Sequence, residues 1–425
     1  MNAGPRSKVR IPKWPAVVSL AGGLLSSAAL GVEDPLHLPI GDPVRRDREA
    51  ALVVDAVTDT AANATLKPSE LPARLSSARV LFVGESHVSV ESHAVELGVI
   101  RELVRAGRRV SVGLEMFPAH GTQQVLDDWT AGKMSESEFV EKSEWFRHWS
   151  YNWGYYREIF LCARDNGLKL FGVNVPPEIV STVGRKGIEA LGPEQKALLP
   201  PRVDWDDAEL KRLFRASFDE DEFHGGLSEQ MLNRMVQAQA TWDAAFGWNA
   251  ARAAKAAGDP KAIVVMLLGH GHVFYGRGAE RQARLWFDGK TASLVSVAVS
   301  DRDKGQCDIR TVRASLADFV WGVPEEDSTL YPSPGFSTRW VQTENLPEVI
   351  QVEKKSAAQR AGLKVGDRLT EIDGRPAADL EAIHRAFAAK RWGDSARLSV
   401  RRGGESVSLE LLLRRERPEP CKSKS

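Results

Sequence analysis

Four short apolar runs punctuate the first two thirds of the chain, and each is followed at once by polar side chains. Val80-Leu81-Phe82-Val83 runs into Gly84-Glu85-Ser86-His87, and Val110-Ser111-Val112-Gly113-Leu114 ends at Glu115. Lys169-Leu170-Phe171-Gly172-Val173 ends at Asn174, and Ala262-Ile263-Val264-Val265-Met266-Leu267-Leu268 discharges into Gly269-His270-Gly271-His272. Runs this short, rich in Val, Ile and Phe, read as buried strands, and a glycine at the exit lets the backbone turn sharply. Helical spacing lies between them. Val95, Val99, Ile100, Leu103 and Val104 predict a helix over 91–106, ended by Gly107. Strand, helix, strand implies a right-handed parallel crossover. Further helices are expected over 122–129, 136–142, 156–166, 226–257 and 278–286, and a last strand, Ala292 to Val299, closes the domain. The expected fold is α/β, a mostly parallel sheet with helices on both faces. In such sheets ligand sites form beyond the carboxyl ends of the strands, so polar residues at four exits can converge.

The flanking stretches have a different texture. Residues 32–78, with Pro35, Pro39, Pro43, Pro68 and Pro72, read as an extended lead-in with one short helix near Arg46 to Ala56. The α/β domain is placed at 79–300, and 301–328 is read as a polar linker containing Asp301-Arg302-Asp303-Lys304 and Glu325-Glu326-Asp327. Over 329–415 the pattern turns β-rich: a strand at Val349 to Val352, a short helix at Ala357 to Leu363 and a strand leading to Asp373-Gly374. A helix at Leu380 to Ala389 and two alternating strands about Gly403-Gly404 complete it. Residues 416–425 are a polar tail.

A chain of 425 residues exceeds one ordinary core, consistent with two domains, and 43% hydrophobic content is ample for both. Lys plus Arg and Asp plus Glu both number 57, so no long-range field favours nucleic acid, which is excluded as a partner. Residues 1–31 look like an export segment: Arg6, Lys8, Arg10 and Lys13 precede an uncharged stretch from Trp14 to Gly31 that ends in small residues. A periplasmic or cell-envelope location is expected, with an uncleaved membrane anchor as the alternative reading. Cys162, Cys307 and Cys421 are too far apart for a disulfide framework or a zinc cluster, and Cys162 reads as a buried free thiol.

Glu85, His87, Glu115, His270 and His272 therefore gather at strand exits, and His nitrogen with carboxylate oxygen is the normal donor set for Mn, Co, Zn or Fe. Such an ion would generate a hydrolytic nucleophile. If His270 and His272 are still in extended chain they point to opposite sides, and only one need face the site. No nucleophile elbow is present, since Ser86 lacks the glycine two places on. Trp145, Phe146, His148, Trp149, Tyr151, Trp153, Tyr155 and Tyr156 form a dense aromatic segment. It reads either as packing at the sheet edge or as a surface for a planar ligand with a phenol for axial iron ligation. Asp243, one helical turn after Gln239 among Ala, Trp and Phe, is either a buried functional carboxylate or an exposed one; spacing leaves both open.

Gly84-Glu85-Ser86-His87, Gly113 to Phe117, Trp145 to Tyr156, Ala163-Arg164, Asn174, Gln239 to Asp243 and Gly269 to His272 together resemble the ChaN-like haem-binding lipoproteins, over roughly residues 75–290. These share a superfamily with the Tiki metalloproteases and TraB-like proteins, in which two Gly-x-x-His motifs and a Glu recur. The resemblance implies haem binding linked to iron acquisition, with a Tyr on the iron, here assigned to Tyr156, and a homodimer is carried as an expectation. The Tiki likeness implies instead a metal-dependent hydrolase or protease using Glu85, His87, Glu115 and His272. The lipid-bearing Cys of many relatives is absent. Ala361-Gly362-Leu363-Lys364-Val365-Gly366-Asp367-Arg368-Leu369 resembles a PDZ domain, which implies strand addition of an extended or C-terminal peptide, with Pro334-Gly335-Phe336 as the carboxylate loop. Two readings stand: an exported haem binder with a peptide module, and a hydrolase to which that module brings substrate.

Overall fold

The computed structural model describes residues 33–217, 228–300, 310–326 and 329–415, which divide into compact units at 33–330 and 331–415. The export segment, the acidic run Asp219 to Glu222, Asp301 to Lys304, the polar tail, Cys307 and Cys421 lie outside the described residues. Among the described residues no helix is long and apolar enough to cross a membrane.

The first unit is built on an eight-stranded sheet. Its strands are β2 (Ala56–Asp59), β3 (Ala64–Leu66), β4 (Val80–Glu85), β5 (Arg109–Pro118), β6 (Lys169–Asn174), β7 (Ala262–Gly269), β8 (Thr291–Val299) and β10 (Phe319–Pro324). They run β3-β2-β10-β8-β4-β7-β5-β6 across the sheet. From β10 to β6 every pairing is parallel, whereas β2 and β3 are added antiparallel. The α/β reading holds. Every residue of β4 and of β7 is buried, as continuous apolar runs require when helices cover both faces of a sheet. Val80 and Phe82 of β4, with Val264, Met266 and Leu268 of β7, pack in one core with Phe246, Ala250 and Ala254 of the helix Glu229–Ala256.

Three expectations about the flanks are corrected. The short helix near Arg46 to Ala56 is not formed; Glu49–Ala51 is strand β1, paired antiparallel with β9 (Thr311–Arg313), and β2 follows. Both pairings are with residues more than 250 positions away, a tertiary choice that local spacing does not announce. The strand Ala292 to Val299 does not close the sheet, because β10 lies beyond it in parallel register. Nor is 301–328 a linker throughout: β9 and β10 belong to the first unit, and Val320 is fully buried.

The second unit is an antiparallel sheet ordered β11-β12-β13-β15-β16, with β14 (Arg375–Pro376) paired to β13. Its path strands are β11 (Phe336–Val341), β12 (Leu346–Val352), β13 (Arg368–Ile372), β15 (Ser395–Arg402) and β16 (Glu405–Leu412). Val349, Leu369, Leu398, Val400 and Leu411 alternate inward to meet Ile383 and Phe387 of the helix Leu380–Ala388. Asp367 is buried but paired, accepting from Nε and Nη2 of Arg402 at 2.7 Å each.

Candidate metal centre

The strand order makes β4, β7, β5 and β6 neighbours, so the four polar exits stand side by side at one edge of the sheet. Glu85 is opposite Gly269 and Leu114 opposite Leu267, which sets Glu115 beside the turn after β7. The pairing of β5 with β6 shifts between Leu114 and Pro118. This bulge passes directly over Gly172, where a Cβ would lie 2.2 Å from the Pro118 carbonyl oxygen. Bulges of this kind re-aim side chains. Asn174 Nδ2 then donates to the Glu115 carbonyl at 2.8 Å and steadies the exit.

Three groups converge there. Glu115 Oε2 accepts from the Gly269 amide at 2.6 Å, and its Oε1 lies 3.6 Å from His272 Nε2. A Cβ on Gly269 would sit 3.0 Å from His87 Nε2 and 3.7 Å from Glu115 Oε2, so the missing side chain is what leaves room for this meeting. Behind each imidazole stands a buried carboxylate. His87 Nδ1 is 2.8 Å from Glu85 Oε1, and His272 Nδ1 is 2.7 Å from Asp243 Oδ1. A carboxylate only accepts, so both Nδ1 atoms are assigned the proton, and on His272 it is Nε2 that faces Glu115. The Gln239 side-chain amide ends 2.9 Å from His272 Nδ1, and with that nitrogen protonated the amide oxygen is the atom assigned to face it.

Two imidazoles and a carboxylate are donor types that a divalent metal takes, and here His272 lies within ion-pair reach of Glu115 while His87 borders the same glycine; among the described residues the group whose donor atoms all lie within 4.8 Å of one another is Glu85, His93 and Glu96. His87, Glu115 and His272 are brought together. The other two expected ligands are not. Glu85 is occupied, accepting from His87 and from Tyr156 Oη at 2.9 Å, with its Oε2 3.0 Å from His93 Nδ1. The residues 270–272 form a single turn of 3-10 helix rather than extended chain, in which the His270 ring stacks on Phe274 with ring centroids 4.8 Å apart. Burial, with the nearby His87, pushes the His270 imidazole down to about 4.

Sequence reading missed His93 and Glu96, which lie one turn apart on the helix Val90–Arg105. His93 Nδ1 bonds Glu96 Oε2 at 2.8 Å, and the donor atoms of Glu85, His93 and Glu96 lie within 4.8 Å of one another. Here the histidine itself supplies the positive charge. Burial opposes it, but Glu85 and Glu96 bring His93 up to about 9, while burial and Glu85 push Glu96 up to about 8. Burial would likewise raise Glu85, yet His93 and His87 hold it below the usual carboxylate range. The available signal was Glu96 on the same stripe as Val99, Ile100 and Leu103, a carboxylate on an apolar face. Asp243, left open by spacing, is wholly buried; burial raises it and His272 partly offsets the rise. Burial lowers His272, but Glu115 and Asp243 more than reverse this.

Tyr156 does not fit an axial haem ligand. It has no exposed surface, donates its proton to Glu85, and is pushed well above the usual phenol range by burial, Glu85 and Glu96. Trp145, Trp153 and Phe160 pack behind it. Trp149 and half-buried Tyr151 instead lie against His87, with ring centroids 4.9 and 4.7 Å away.

Residues 71–282 match the family described as haem-binding uptake, Tiki superfamily, ChaN, and residues 335–413 match the PDZ domain family. Among curated proteins, RETICULATA-RELATED 5 of Arabidopsis thaliana is 29% identical over 30% of this chain and 18% of its own length. The serine protease Do-like HtrA of Lactobacillus helveticus is 28% identical over 22% of this chain and 21% of its own. The chain thus spans about a fifth of these relatives. Among solved structures, ChaN of Campylobacter jejuni, described with cofacial haem binding, is 18% identical with a TM-score of 0.46, covering 62% of this chain and 95% of that one. The HtrA3 PDZ domain, bound to a phage-derived ligand, is 22% identical with a TM-score of 0.18, covering 20% of this chain and 85% of that one. With both profiles in chain order over the two units, the chain carries a ChaN-type domain of the Tiki superfamily over residues 71–282 and a PDZ domain after it.

Proposed function

We propose that the first domain is a metal-dependent hydrolase in which His87, Glu115 and His272 hold one divalent ion. The observation that supports this reading is that His272 turns Nε2 toward Glu115, at 3.6 Å, and His87 Nε2 borders the same glycine, while buried acids bond both Nδ1 atoms. Such an ion supplies Lewis acidity. Glu85 and Asp243 fix the tautomer and angle of the two rings, and the Gly269 amide orients Glu115. Elemental analysis of the full chain tests it: about one Mn, Co, Zn or Fe per chain is expected, lost in His87→Ala and His272→Ala with the circular dichroism unchanged. Metal retained in both variants would overturn it.

Haem is the second reading, favoured by the family description and by Trp149 and Tyr151 at the half-buried edge of the cluster. On this reading Tyr151 replaces Tyr156 as the iron ligand, and the chain is an exported, homodimeric cell-envelope protein serving haem or iron acquisition, as the composition of residues 1–31 suggests. A haemin titration tests it. A saturable Soret shift lost in Tyr151→Phe is expected, and no shift would remove the reading.

For the PDZ domain we propose that an extended peptide adds to β11. Among the described residues β11 pairs on one side only, with β12, and Phe336 meets Phe387 of the helix Leu380–Ala388 at 5.7 Å. The Pro334 and Gly335 carbonyls are turned inward to Ala358, Glu353 and Ser356, and Gly335 has φ of 75°. Titration with peptides ending in an apolar residue, lost in Gly335→Val, tests this assignment; equal binding by the variant would sink it.

A further inference from the structure

Among the described residues, seven other than glycine hold a positive φ, and six of these are exposed polar side chains in surface turns. The seventh is Tyr275, with φ of 60° and ψ of 10°, 4% exposed and three residues beyond His272. A bulky ring in the left-handed region is an outlier, and such outliers persist only where the surroundings over-determine them. Here the surroundings include a strap. Leu36, Leu38 and Ile40 turn inward to the core that also holds Val273, Phe274 and Tyr275. The Tyr275 phenol donates to the Pro35 carbonyl at 2.8 Å and accepts from the Leu38 amide at 2.9 Å. The Tyr275 amide donates to the Leu316 carbonyl at 2.6 Å. Gly41 closes the strap at φ of 82°, where a Cβ would lie 3.0 Å from the Tyr275 carbonyl oxygen. The strap and Leu316 both lie outside residues 71–282, so what holds this turn comes from beyond the ChaN-type match.

The turn reverses the chain after His272 and lays Gly278 on the His272 carbonyl. A Cβ on Gly278 would be 2.2 Å from that oxygen and 2.9 Å from Asp243 Oδ1. The returning loop thus grips His272 by its backbone, while Asp243 grips its ring at 2.7 Å. We propose that Tyr275 is a positioning residue for His272. Its phenol, latched to the strap over residues 35–41, keeps the left-handed turn that folds Gly278 back on His272 and so aims Nε2 at Glu115. The inference rests on the reading of His272 as a metal ligand, and two of its three readouts need no metal.

Two variants of the full chain separate positioning from plain stability. Tyr275→Phe keeps the ring and removes only the hydroxyl. Ser315→Ala removes the donor to the Ile40 carbonyl, at 2.7 Å, and so loosens the strap without touching the phenol. Chelator competition should show metal affinity about tenfold or more lower in Tyr275→Phe and unchanged in Ser315→Ala. In the metal-free chain, nitrogen-resolved NMR of the imidazoles should show His272 leaving its Nδ1-protonated tautomer in Tyr275→Phe alone. Amide exchange of the wild type needs no variant: the Leu38 amide on the strap and the Val273 amide on the loop should open together. If the wild type binds no metal, the metal reading falls, while the imidazole and exchange measurements still decide this one. Metal held as tightly by Tyr275→Phe as by the wild type, a His272 signal unchanged in that variant, an equal change in Ser315→Ala, or separate opening of Leu38 and Val273 would overturn the positioning role.

Discussion

Asp243 Oδ1 lies 2.7 Å from His272 Nδ1, on a carboxylate with no exposed surface in the middle of a 28-residue helix. The acid therefore sets the direction of Nε2 on the far side of the ring. Asp243→Asn keeps the volume but removes the charge and lets an amide nitrogen compete for the same contact. Loss of such a supporting partner typically costs about 10–100-fold in metal affinity. Chelator competition on the purified variant should show a drop of that order with the thermal transition little changed, and an unaltered affinity would show that His272 needs no such support.

Gly269 offers a sharper test, because its backbone is no obstacle to a side chain. Its φ of −55° and ψ of 140° suit any residue. What it lacks is room: a methyl there would lie 3.0 Å from both Cε1 and Nε2 of His87. Gly269→Ala should displace His87 from Glu115 and abolish metal binding while the sheet persists by circular dichroism. Full metal content in this variant would place the donors elsewhere.

The strands that carry the centre were legible because buried parallel strands are continuous apolar runs, and β4 and β7 are of that kind. Their exits could be named from sequence, and so could His87, Glu115 and His272. Strands β1, β2, β9 and β10 were not, since their pairings join residues 49–59 to residues 311–322. Glu85 was placed among the ligands because it stands at a strand exit; its Oε1 accepts from His87 and Tyr156, and its Oε2 lies 3.0 Å from His93 Nδ1. No spacing rule separates a ligand from the acid that steadies it. His93 and Glu96 were hidden for a related reason: helical periodicity counts apolar positions, and a buried hydrogen-bonded polar pair on the apolar stripe looks like a break in the pattern.

The pair His93 and Glu96 gives a pH signature. Glu96 is raised from 4.5 to about 8 by burial and by Glu85, so the folded chain holds a proton there that the unfolded chain releases near 4.5. The folded state binds more protons between those values, and stability contributed by this group falls as pH rises through the window. Glu96→Gln mimics the protonated form and has no such loss. Denaturation midpoints should show the variant gaining on the wild type from about pH 4.5 to about pH 8, with the gap constant above. A gap that narrows with rising pH would mean that Glu96 is ionised in the fold.

Tyr156 separates a structural phenol from a ligating one. Its Oη donates to Glu85 Oε1 at 2.9 Å, and no part of the side chain is exposed. Tyr156→Phe keeps the ring against Trp145, at 5.5 Å between centroids, and removes only the donor. A hydrogen bond to a charged acceptor contributes about 1.5–3 kcal/mol, so the variant should unfold at measurably lower denaturant, with an unchanged dependence on denaturant concentration. Its metal content should persist, because His87 still bonds Glu85 at 2.8 Å. A haemin titration should be indifferent to the change. If the Soret band were instead lost in Tyr156→Phe while stability held, the phenol would have to leave Glu85 to reach iron, and the buried cluster would have to open around it.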